Sequence, residues 1–354
     1  MPTRKILILG ASYGSLLGVK LALAGHTVKL VCLPAEAALI NAEGAIVRLP
    51  VKGREGLVEV NSRSLPGKLD ADGPGAVDPA DYDLVALAMQ EPQYRSPGVR
   101  ELLAKVATSR VPCMSIMNMP PMPYLRRVPG VDAARCVDCY TDASVWDAFD
   151  PRFMTLCSPD PQAFRPPDEA VNVLQVRLPT NFKAARFDSD AHTAMLRELA
   201  ADIEAARYEA GGESIELPVK LKVHESVFVP LAKWAMLLAG NYRCVQADTV
   251  RPIKEAVHGD LAASRAVYEW VVKLCVTLGA DEKDLVPFEK YAAAALSLGS
   301  PSSAARALAG GAQQIERVDR LVQAVAAQKG LRNAAVDETV ALVDAWLVRN
   351  RRKG

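Results

Sequence analysis

The first thirty residues constrain the fold more than any other part of this chain. Residues 5–9 are an apolar run of strand length, and the glycine-containing turn from Gly10 to Gly18 follows them. A helical stretch then ends at Gly25, as a helix C-cap would, and a second apolar run covers 28–32. Strand, glycine turn, helix and strand in this order are typical of a βαβ unit. We therefore expect an α/β chain with a parallel sheet at its N-terminus.

Two chemistries compete for the glycine turn. The stretch from Gly10 through Ser12 to Gly14 matches the G-x-S-x-G elbow, which would make Ser12 the nucleophile of a hydrolase. Such an elbow normally follows several earlier strands, whereas here it follows the first. Its histidine partner must come later, and neither His224 nor His258 lies in a recognisable loop motif. The hydrolase interpretation is therefore the weaker one.

The turn also resembles a dinucleotide-binding loop, in which backbone N–H groups at a helix N-terminus hold a pyrophosphate. The G-x-G-x-x-G pattern is imperfect, because the chain places Gly10, Ser12 and Ser15 where three glycines are expected. A one-residue deletion would align Gly14 with the third glycine. We predict cofactor contacts from Gly10, Ser12, Tyr13, Gly14 and Ser15, and a tight βα turn without a ligand is the alternative.

The residues that normally determine a preference for NAD or NADP do not indicate either one here. Adenosine preference is set at the end of the second strand, where an acidic residue favours NAD and a basic one favours NADP. The chain has Cys32-Leu33-Pro34-Ala35-Glu36 there, with no carboxylate at the strand tip and Glu36 expected on the following helix. The choice of cofactor stays open at this point.

Two amides follow later apolar strands. Gln90 comes after a predicted strand over 84–89, and Asn118 after one over 113–117. In a doubly wound sheet such positions face the ligand crevice, so both are candidates for cofactor or substrate contact. A loop-capping amide is an equally good explanation for each. The prolines of 118–123 predict a loop.

The remaining chain changes character along its length. Residues 44–81 are predicted to be irregular or a β-ribbon, and 136–182 to be rich in strands and loops. A helix is expected from about His192 to Tyr208, ended by Gly211-Gly212. After about residue 217, strands are expected to give way to long amphipathic helices.

These patterns predict two domains. We expect a Rossmann-type dinucleotide-binding domain over 1–216 and an all-helical domain over 217–354. The apolar stripes of the helices, such as Ile315, Val318, Val322 and Val325 before Gly330, are ordinary core faces.

Composition mainly excludes functions. The 42 basic and 41 acidic residues of this 354-residue chain give a net charge of +1, which argues against a nucleic-acid or acidic-membrane binder. No apolar run is long enough for a membrane span or a signal peptide. The seven cysteines suggest reduced thiols, and Cys136 and Cys139 form a lone C-x-x-C pair without a nearby histidine, so no metal site is expected. A cytoplasmic location follows from these expectations.

Three stretches resemble the ketopantoate reductase (2-dehydropantoate 2-reductase) family. They are the opening turn and helix from Gly10 to Val28, the segment from Lys233 to Asn241, and Pro301-Ser302-Ser303 with the later Gln314-Ile315-Glu316. The resemblance covers most of the chain. It implies an N-terminal Rossmann domain, a helical C-terminal domain and reduction of a 2-keto acid by NADPH.

The resemblance also assigns roles to individual positions. Lys233 falls on the family's catalytic lysine, which donates a proton to the alkoxide or stabilises its charge. Asn241 falls on an asparagine that holds the substrate, and Ser302 on a serine that contacts the substrate carboxylate. Asn118 falls on the asparagine of an Asn-Gly loop.

Several positions depart from the family pattern. Its first asparagine after the lysine is Leu237 here, its glutamate is Gln314, and its nearby aspartate is Arg306. Its basic residues near the cofactor fall on Gln90 and Leu33. These exchanges change which substrate a buried polar site accepts and weaken the case for NADPH. We therefore expect the reaction type rather than ketopantoate itself, with NADP as cofactor and NAD as the alternative.

The sequence thus predicts an NAD(P)H-dependent oxidoreductase acting on a small 2-keto acid or related carbonyl. Lys233 would be the acid, and Asn241, Ser302 and Gln314 would orient the substrate. An opine-type or imine reductase is one alternative, and a non-catalytic NAD(P)-binding sensor is another. The helical stripes also suit packing against a second copy, so a homodimer is a further option.

Overall fold

The computed structural model describes residues 2–353 and divides them into two compact units. The first unit comprises the chain up to Met89, Gln93–Tyr124 and Val145–Glu225. The second comprises Gln90–Pro92, Leu125–Ser144 and the chain from Ser226 onward. The domain boundary between residues 216 and 217 stays a prediction.

All the strands of the described residues lie in the first unit. They are β1 (Lys5–Leu9), β2 (Thr27–Val31), β3 (Ile46–Pro50), β4 (Leu57–Asn61), β5 (Lys68–Asp72), β6 (Leu84–Leu87), β7 (Cys113–Ile116), β8 (Met154–Ser158), β9 (Gln162–Phe164), β10 (Val173–Leu178), β11 (Phe182–Ala185), β12 (Tyr208–Ala210), β13 (Glu213–Ile215) and β14 (Leu221–His224).

The α-helices divide between the units. They are α1 (Tyr13–Leu23), α2 (Pro34–Glu43), α3 (Val99–Ser109), α4 (Met122–Leu125), α5 (Asp190–Ala205), α6 (Lys233–Met236), α7 (Ile253–His258), α8 (Leu261–Leu278), α9 (Phe288–Ala295), α10 (Ser303–Ala309), α11 (Val318–Gln328) and α12 (Ala334–Arg351). The second unit contains α6 to α12. None of the described helices combines the length and apolar character needed to cross a bilayer.

The main sheet has eight strands in the order β5-β2-β1-β6-β7-β8-β11-β14. Its strands from β5 to β8 are parallel. Numbered along the chain, these six strands have the order 3-2-1-4-5-6, which defines the Rossmann fold. β11 is antiparallel to β8, and β14 is parallel to β11. The predicted fold class is confirmed, and β1 has the predicted bounds.

The stretch over 44–81 is more regular than predicted. It contains the antiparallel pair β3 and β4, which forms a second sheet in the order β4-β3-β10-β9. It also contains β5, the edge strand of the main sheet, which the prediction missed. Polar residues dominate β5, and only Ala71 within it is buried. An edge strand needs no continuous apolar run, so its pattern carried little signal.

Two predictions about the end of the first unit were wrong. Helix α5 ends at Ala205, and Gly211 and Gly212 form the turn of the β12–β13 hairpin. Both glycines have positive φ, of 62° and 82°, as a two-residue hairpin turn of type I′ requires. Strands also continue past residue 217, because β14 pairs with β11. A four-residue strand is too short to give a clear sequence pattern.

The proline-rich stretch over 118–123 was predicted to be a loop, and this is correct for 118–121 but wrong for the last two residues. It ends in the single-turn helix α4, which begins at Met122. Pro123 lies in the first turn of this helix, where its missing N–H costs nothing.

A buried lysine links α1 to the chain before β14. Lys20 is only 2% exposed, and its Nζ donates to the carbonyl oxygens of Leu217 (3.0 Å) and Pro218 (3.1 Å). These carbonyls directly precede Val219, a β-branched residue with a φ of 67°. Burial is the main cause that lowers the pKa of Lys20 to about 7.

Candidate functional site

The turn after β1 is built so closely that its first residue must be glycine. Gly10 has a φ of 104°, and a Cβ there would lie 2.7 Å from the carbonyl oxygen of Ala88. The Gly10 N–H donates to Val31 O (2.8 Å), and the Ala88 N–H donates to Leu9 O (2.8 Å). The turn is therefore held between the carboxyl ends of β2 and β6.

Two further glycines let α1 pack closely on the sheet. A Cβ on Gly14 would lie 2.9 Å from Ile8 Cγ2, and one on Gly18 would lie 3.0 Å from Leu69 Cδ1. Close helix–strand packing is the task of the third glycine in a dinucleotide-binding turn. Gly14 performs that task here, which agrees with the alignment across a one-residue deletion.

The three polar side chains of the turn have different surroundings. Ser12 precedes α1, and its hydroxyl makes no capping hydrogen bond. The Tyr13 hydroxyl donates to Pro161 O (2.9 Å). Ser15 is 2% exposed, and its hydroxyl donates to Ala11 O (2.6 Å). The Ser15 side chain thus holds the turn itself, and Ser12 stands where a dinucleotide loop has its second glycine.

This turn has the parts that a dinucleotide pyrophosphate needs. Helix α1 begins at Tyr13, so its N-terminal N–H groups and the positive end of its dipole lie at the turn. A close turn that admits no side chain at Gly10 leads directly into that helix. The residues present therefore fit a pyrophosphate at this position.

The sheet topology argues against the hydrolase interpretation of Ser12. Ser12 follows the carboxyl end of β1, whereas His26 precedes the amino end of the parallel strand β2. Five-residue strands separate these two edges by about 16 Å. His192 lies in the first turn of α5, which follows β11, and His224 is the last residue of β14. Both strands run opposite to β8. Three of the four histidines therefore lie at the wrong edge of the sheet to activate Ser12.

The two predicted amides lie beyond neighbouring parallel strands. Asn118 is half-buried and comes two residues after β7. Gln90 is exposed and comes three residues after β6. Gln90 belongs to the short stretch that is assigned to the second unit. Their roles stay predictions.

In the second unit, Lys233 begins a helical segment that changes its winding. It is α-helical over Lys233–Met236, a π-helix over Leu237–Asn241 and a 3₁₀-helix over Tyr242–Cys244. π-turns inside helices are rare, and those that occur are often at functional sites. No local residue pattern indicates this turn.

The π-turn has a clear physical cause. The Tyr291 hydroxyl donates to the carbonyl oxygen of Met236 (3.0 Å), which a regular α-helix would pair with the N–H of Gly240. Space for the hydroxyl exists because residue 240 is glycine, and a Cβ there would lie only 1.9 Å from Tyr291 Oη. The phenol therefore occupies the place of one helical hydrogen bond.

The π-turn changes which residues share a face. Asn241 is eight residues after Lys233, and a regular α-helix would rotate it by about 80° away from the lysine. A π-helix turns less per residue, so Asn241 comes back toward the face of Lys233. Between Phe228 and Tyr242, all residues are buried except Lys233, Met236 and Asn241. One face of the segment thus presents an amine and an amide.

Two further predicted residues lie next to this segment. The Ser302 hydroxyl donates to Asn241 O (2.7 Å) and accepts from the Ala305 N–H (3.2 Å) as the N-cap of α10. Its only proton is used by Asn241, so a direct hydrogen bond to a carboxylate would break that contact. Half-buried Gln314 lies in the loop between α10 and α11.

Tyr242 connects that loop to the segment. Its hydroxyl donates to Glu316 O and accepts from the Val318 N–H (3.0 Å). Glu316 also places a half-buried carboxylate two residues after Gln314, where it accepts from the Glu91 N–H (3.3 Å). Sequence reasoning did not select Glu316, although it is the acidic residue nearest in sequence to Gln314.

Two other features noted in the sequence, Leu237 and the Cys136–Cys139 pair, are buried. Leu237, at the family's first asparagine, is 4% exposed and belongs to the core of the second unit. Cys136 and Cys139 are buried, and burial raises the pKa of Cys139 to about 12, so it is a thiol rather than a nucleophilic thiolate. The described residues contain no group of three His, Cys, Asp or Glu side chains arranged to hold a metal ion.

Solved structures share this architecture over the whole chain. A 2-dehydropantoate 2-reductase from Methylococcus capsulatus superposes with a TM-score of 0.65 at 13% identity, covering 98% of this chain and 97% of that one. A ketopantoate reductase from Ralstonia eutropha JMP134 gives a TM-score of 0.62 at 17% identity, and the match covers 98% of this chain and 99% of that one. The chain has the fold of the ketopantoate reductases.

The same fold occurs in D-mandelate dehydrogenase, solved with NADH and anilino(oxo)acetate. Its TM-score is 0.63 at 16% identity, and the match covers 98% of this chain and 99% of that one. No family model and no curated protein matches the sequence. The ketopantoate reductase fold therefore rests on structure, and identities this low establish no activity.

Proposed function

We propose that this chain is an NAD(P)H-dependent oxidoreductase that reduces a small 2-keto acid or a related carbonyl. The observation that carries the proposal is the shared face of Lys233 and Asn241, created by the π-turn in an otherwise buried segment. A cationic donor beside an amide suits a carbonyl oxygen and its neighbouring polar groups. The ketopantoate reductase fold supplies the context for that chemistry.

The Gly10–Ser15 turn would hold the pyrophosphate of the nucleotide. N-terminal N–H groups of α1 would donate to its oxygens, and the Ser12 hydroxyl would add a donor in place of a glycine's closer backbone approach. Asn118 and Gln90 are proposed to contact the cofactor beyond β7 and β6. The bound reduced nicotinamide would supply the hydride for the reaction.

Lys233 is proposed to hold the substrate's carbonyl oxygen and to give it a proton. Negative charge develops on that oxygen as the carbonyl carbon is reduced, and the ammonium group of Lys233 stabilises it. Transfer of a proton from Nζ to the oxygen completes the alcohol and leaves a neutral amine, which regains a proton from water.

Asn241 is proposed to orient the substrate through its amide. Ser302 would act as a positioning residue, since its hydroxyl binds the Asn241 backbone carbonyl. Gln314 offers the substrate a neutral amide where the family has a carboxylate. A neutral group at this position does not favour substrates that need an anionic partner, so the accepted keto acid need not be 2-dehydropantoate.

A homodimer is also proposed, because a ketopantoate reductase from Staphylococcus aureus with this fold is described as dimeric.

Lys233→Ala tests the proposal against Lys273→Ala, a change at an exposed lysine of α8 in the same unit. We would follow oxidation of NADH and NADPH by absorbance with 2-keto acids that carry aliphatic, hydroxylated and aromatic side chains. Loss of the general acid should lower kcat by about 10²-fold or more, while Lys273→Ala keeps full activity. Equal activity of both variants would remove Lys233 from the mechanism.

A non-catalytic sensor makes a different prediction. Calorimetric titration of the wild-type chain with NADH and NADPH measures binding without turnover. Tight binding together with no turnover of any carbonyl or imine in the panel would favour the sensor. Turnover of imines but not of keto acids would favour the opine-type or imine reductase.

A further inference from the structure

The tip of β2 carries an exposed apolar side chain. Leu33 follows the strand by two residues, precedes α2 and is 73% exposed. In a Rossmann fold this is the region that contacts the adenosine ribose of a bound dinucleotide. Selection of NADP normally requires a basic side chain here, and Leu33 supplies none.

The arginine that reaches this region is already paired. Arg165, from the loop after β9, forms an ion pair with Glu36 in the first turn of α2. Glu36 is 7% exposed. Both charges act on the Cys32 thiol at the strand tip, together with that of Asp72. The positive charge of Arg165 is therefore matched by a buried carboxylate.

The lysine beside this tip is paired as well. Lys29 Nζ lies 2.7 Å from Asp70 Oδ1 and 2.6 Å from Asp72 Oδ2. Asp72 is opposite Val31, the last residue of β2. Lys29 and Arg165 thus each have a carboxylate partner.

A ribose 2′-phosphate would meet unfavourable electrostatics at this tip. It carries almost two negative charges at neutral pH and binds best to arginine or lysine side chains in charge-assisted hydrogen bonds. Here it would approach Glu36 and Asp72 and would have to compete with Glu36 for Arg165. A 2′-hydroxyl brings no charge and avoids both costs.

We propose that this chain selects NAD(H) over NADP(H), and that the apolar, charge-matched tip formed by Leu33, Glu36 and Arg165 makes the selection. The inference rests on the proposed dinucleotide binding and specifies which form is bound. It also departs from the NADPH preference that the sequence resemblance implies.

Fluorescence titration of the purified full-length chain with NADH and with NADPH tests the selection directly. We expect NADH to bind at least about tenfold more tightly than NADPH. The 2′-phosphate of NADPH finds no charge-assisted hydrogen bond at this tip, and one such bond is worth about a factor of ten or more. Leu33→Arg should raise the affinity for NADPH relative to that for NADH by about tenfold. Because Leu33 is exposed, this variant should fold normally.

Leu57→Arg is the matched control, since it adds the same charge at a 42% exposed leucine on β4. It should not change the ratio of the two affinities. Equal or tighter binding of NADPH by the wild type would overturn the inference and leave the proposed function intact. So would a Leu33→Arg variant that behaves like Leu57→Arg. Binding of neither nucleotide would overturn the inference and the proposed function together.

Discussion

Replacing Gly240 by alanine should disrupt the π-turn that brings Asn241 toward Lys233. Alanine is normally the better helix residue, by about 0.8–1 kcal/mol. At this position its Cβ would lie 1.9 Å from Tyr291 Oη and 3.1 Å from Val257 Cγ2. The phenol must therefore move, and its hydrogen bond to Met236 O must break.

The expected cost follows from three contributions. Overpacking in a filled core costs about 1–3 kcal/mol. Loss of the Tyr291 hydrogen bond adds about 1 kcal/mol. The helix propensity of alanine returns about 0.8–1 kcal/mol, so Gly240→Ala should lower the free energy of unfolding by about 1–3 kcal/mol.

Urea denaturation measures that loss, with Gly299→Ala as the control. A Cβ at Gly299 has no neighbour within 4 Å, so this change should alter stability by less than about 0.5 kcal/mol. The double variant Gly240→Ala, Tyr291→Phe removes the clashing hydroxyl. Its cost should be smaller than the sum of the two single costs by about 1 kcal/mol or more.

The assay also has a functional readout. If the segment winds back to a regular α-helix, Asn241 rotates away from Lys233 by about 80°. Turnover of any keto acid that the wild type reduces should then fall in Gly240→Ala and stay unchanged in Gly299→Ala. Strictly additive costs in the double variant, or no loss of stability in Gly240→Ala, would refute the explanation of the π-turn.

Two further predictions concern the first unit. Gly10→Ala should lower the melting temperature more than Gly53→Ala. Both glycines have positive φ, but only at Gly10 would a Cβ also lie 2.7 Å from Ala88 O. Equal losses of melting temperature would contradict this. Lys20 should make stability rise with pH above about 7, since its lowered pKa leaves the unfolded chain binding more protons up to about pH 10. The slope, at most about 1.4 kcal/mol per pH unit, should disappear in Lys20→Met when denaturation is compared at pH 7, 8 and 9, and an identical slope in both proteins would exclude this role.

Local patterns were enough to predict the beginning of the fold. The apolar run over 5–9, the glycines after it and Gly25 define β1, the turn and α1, because strand, turn and helix propensities act within a few residues. Predictions failed where pairing partners lie far away in sequence. β5 and β14 are short strands whose positions depend on β2 and β11, so their own residues carried little signal.

By itself, the sequence determined the fold class and selected the Gly10–Ser15 turn as a candidate cofactor loop, and its resemblance to the ketopantoate reductases selected Lys233 and Asn241. Only the tertiary structure decided how those residues are presented. Tyr291 lies fifty residues after the segment whose winding it changes, and Arg165 lies far from the Glu36 that neutralises it. Contacts of this kind depend on which surfaces meet after folding, and no local pattern of residues encodes them.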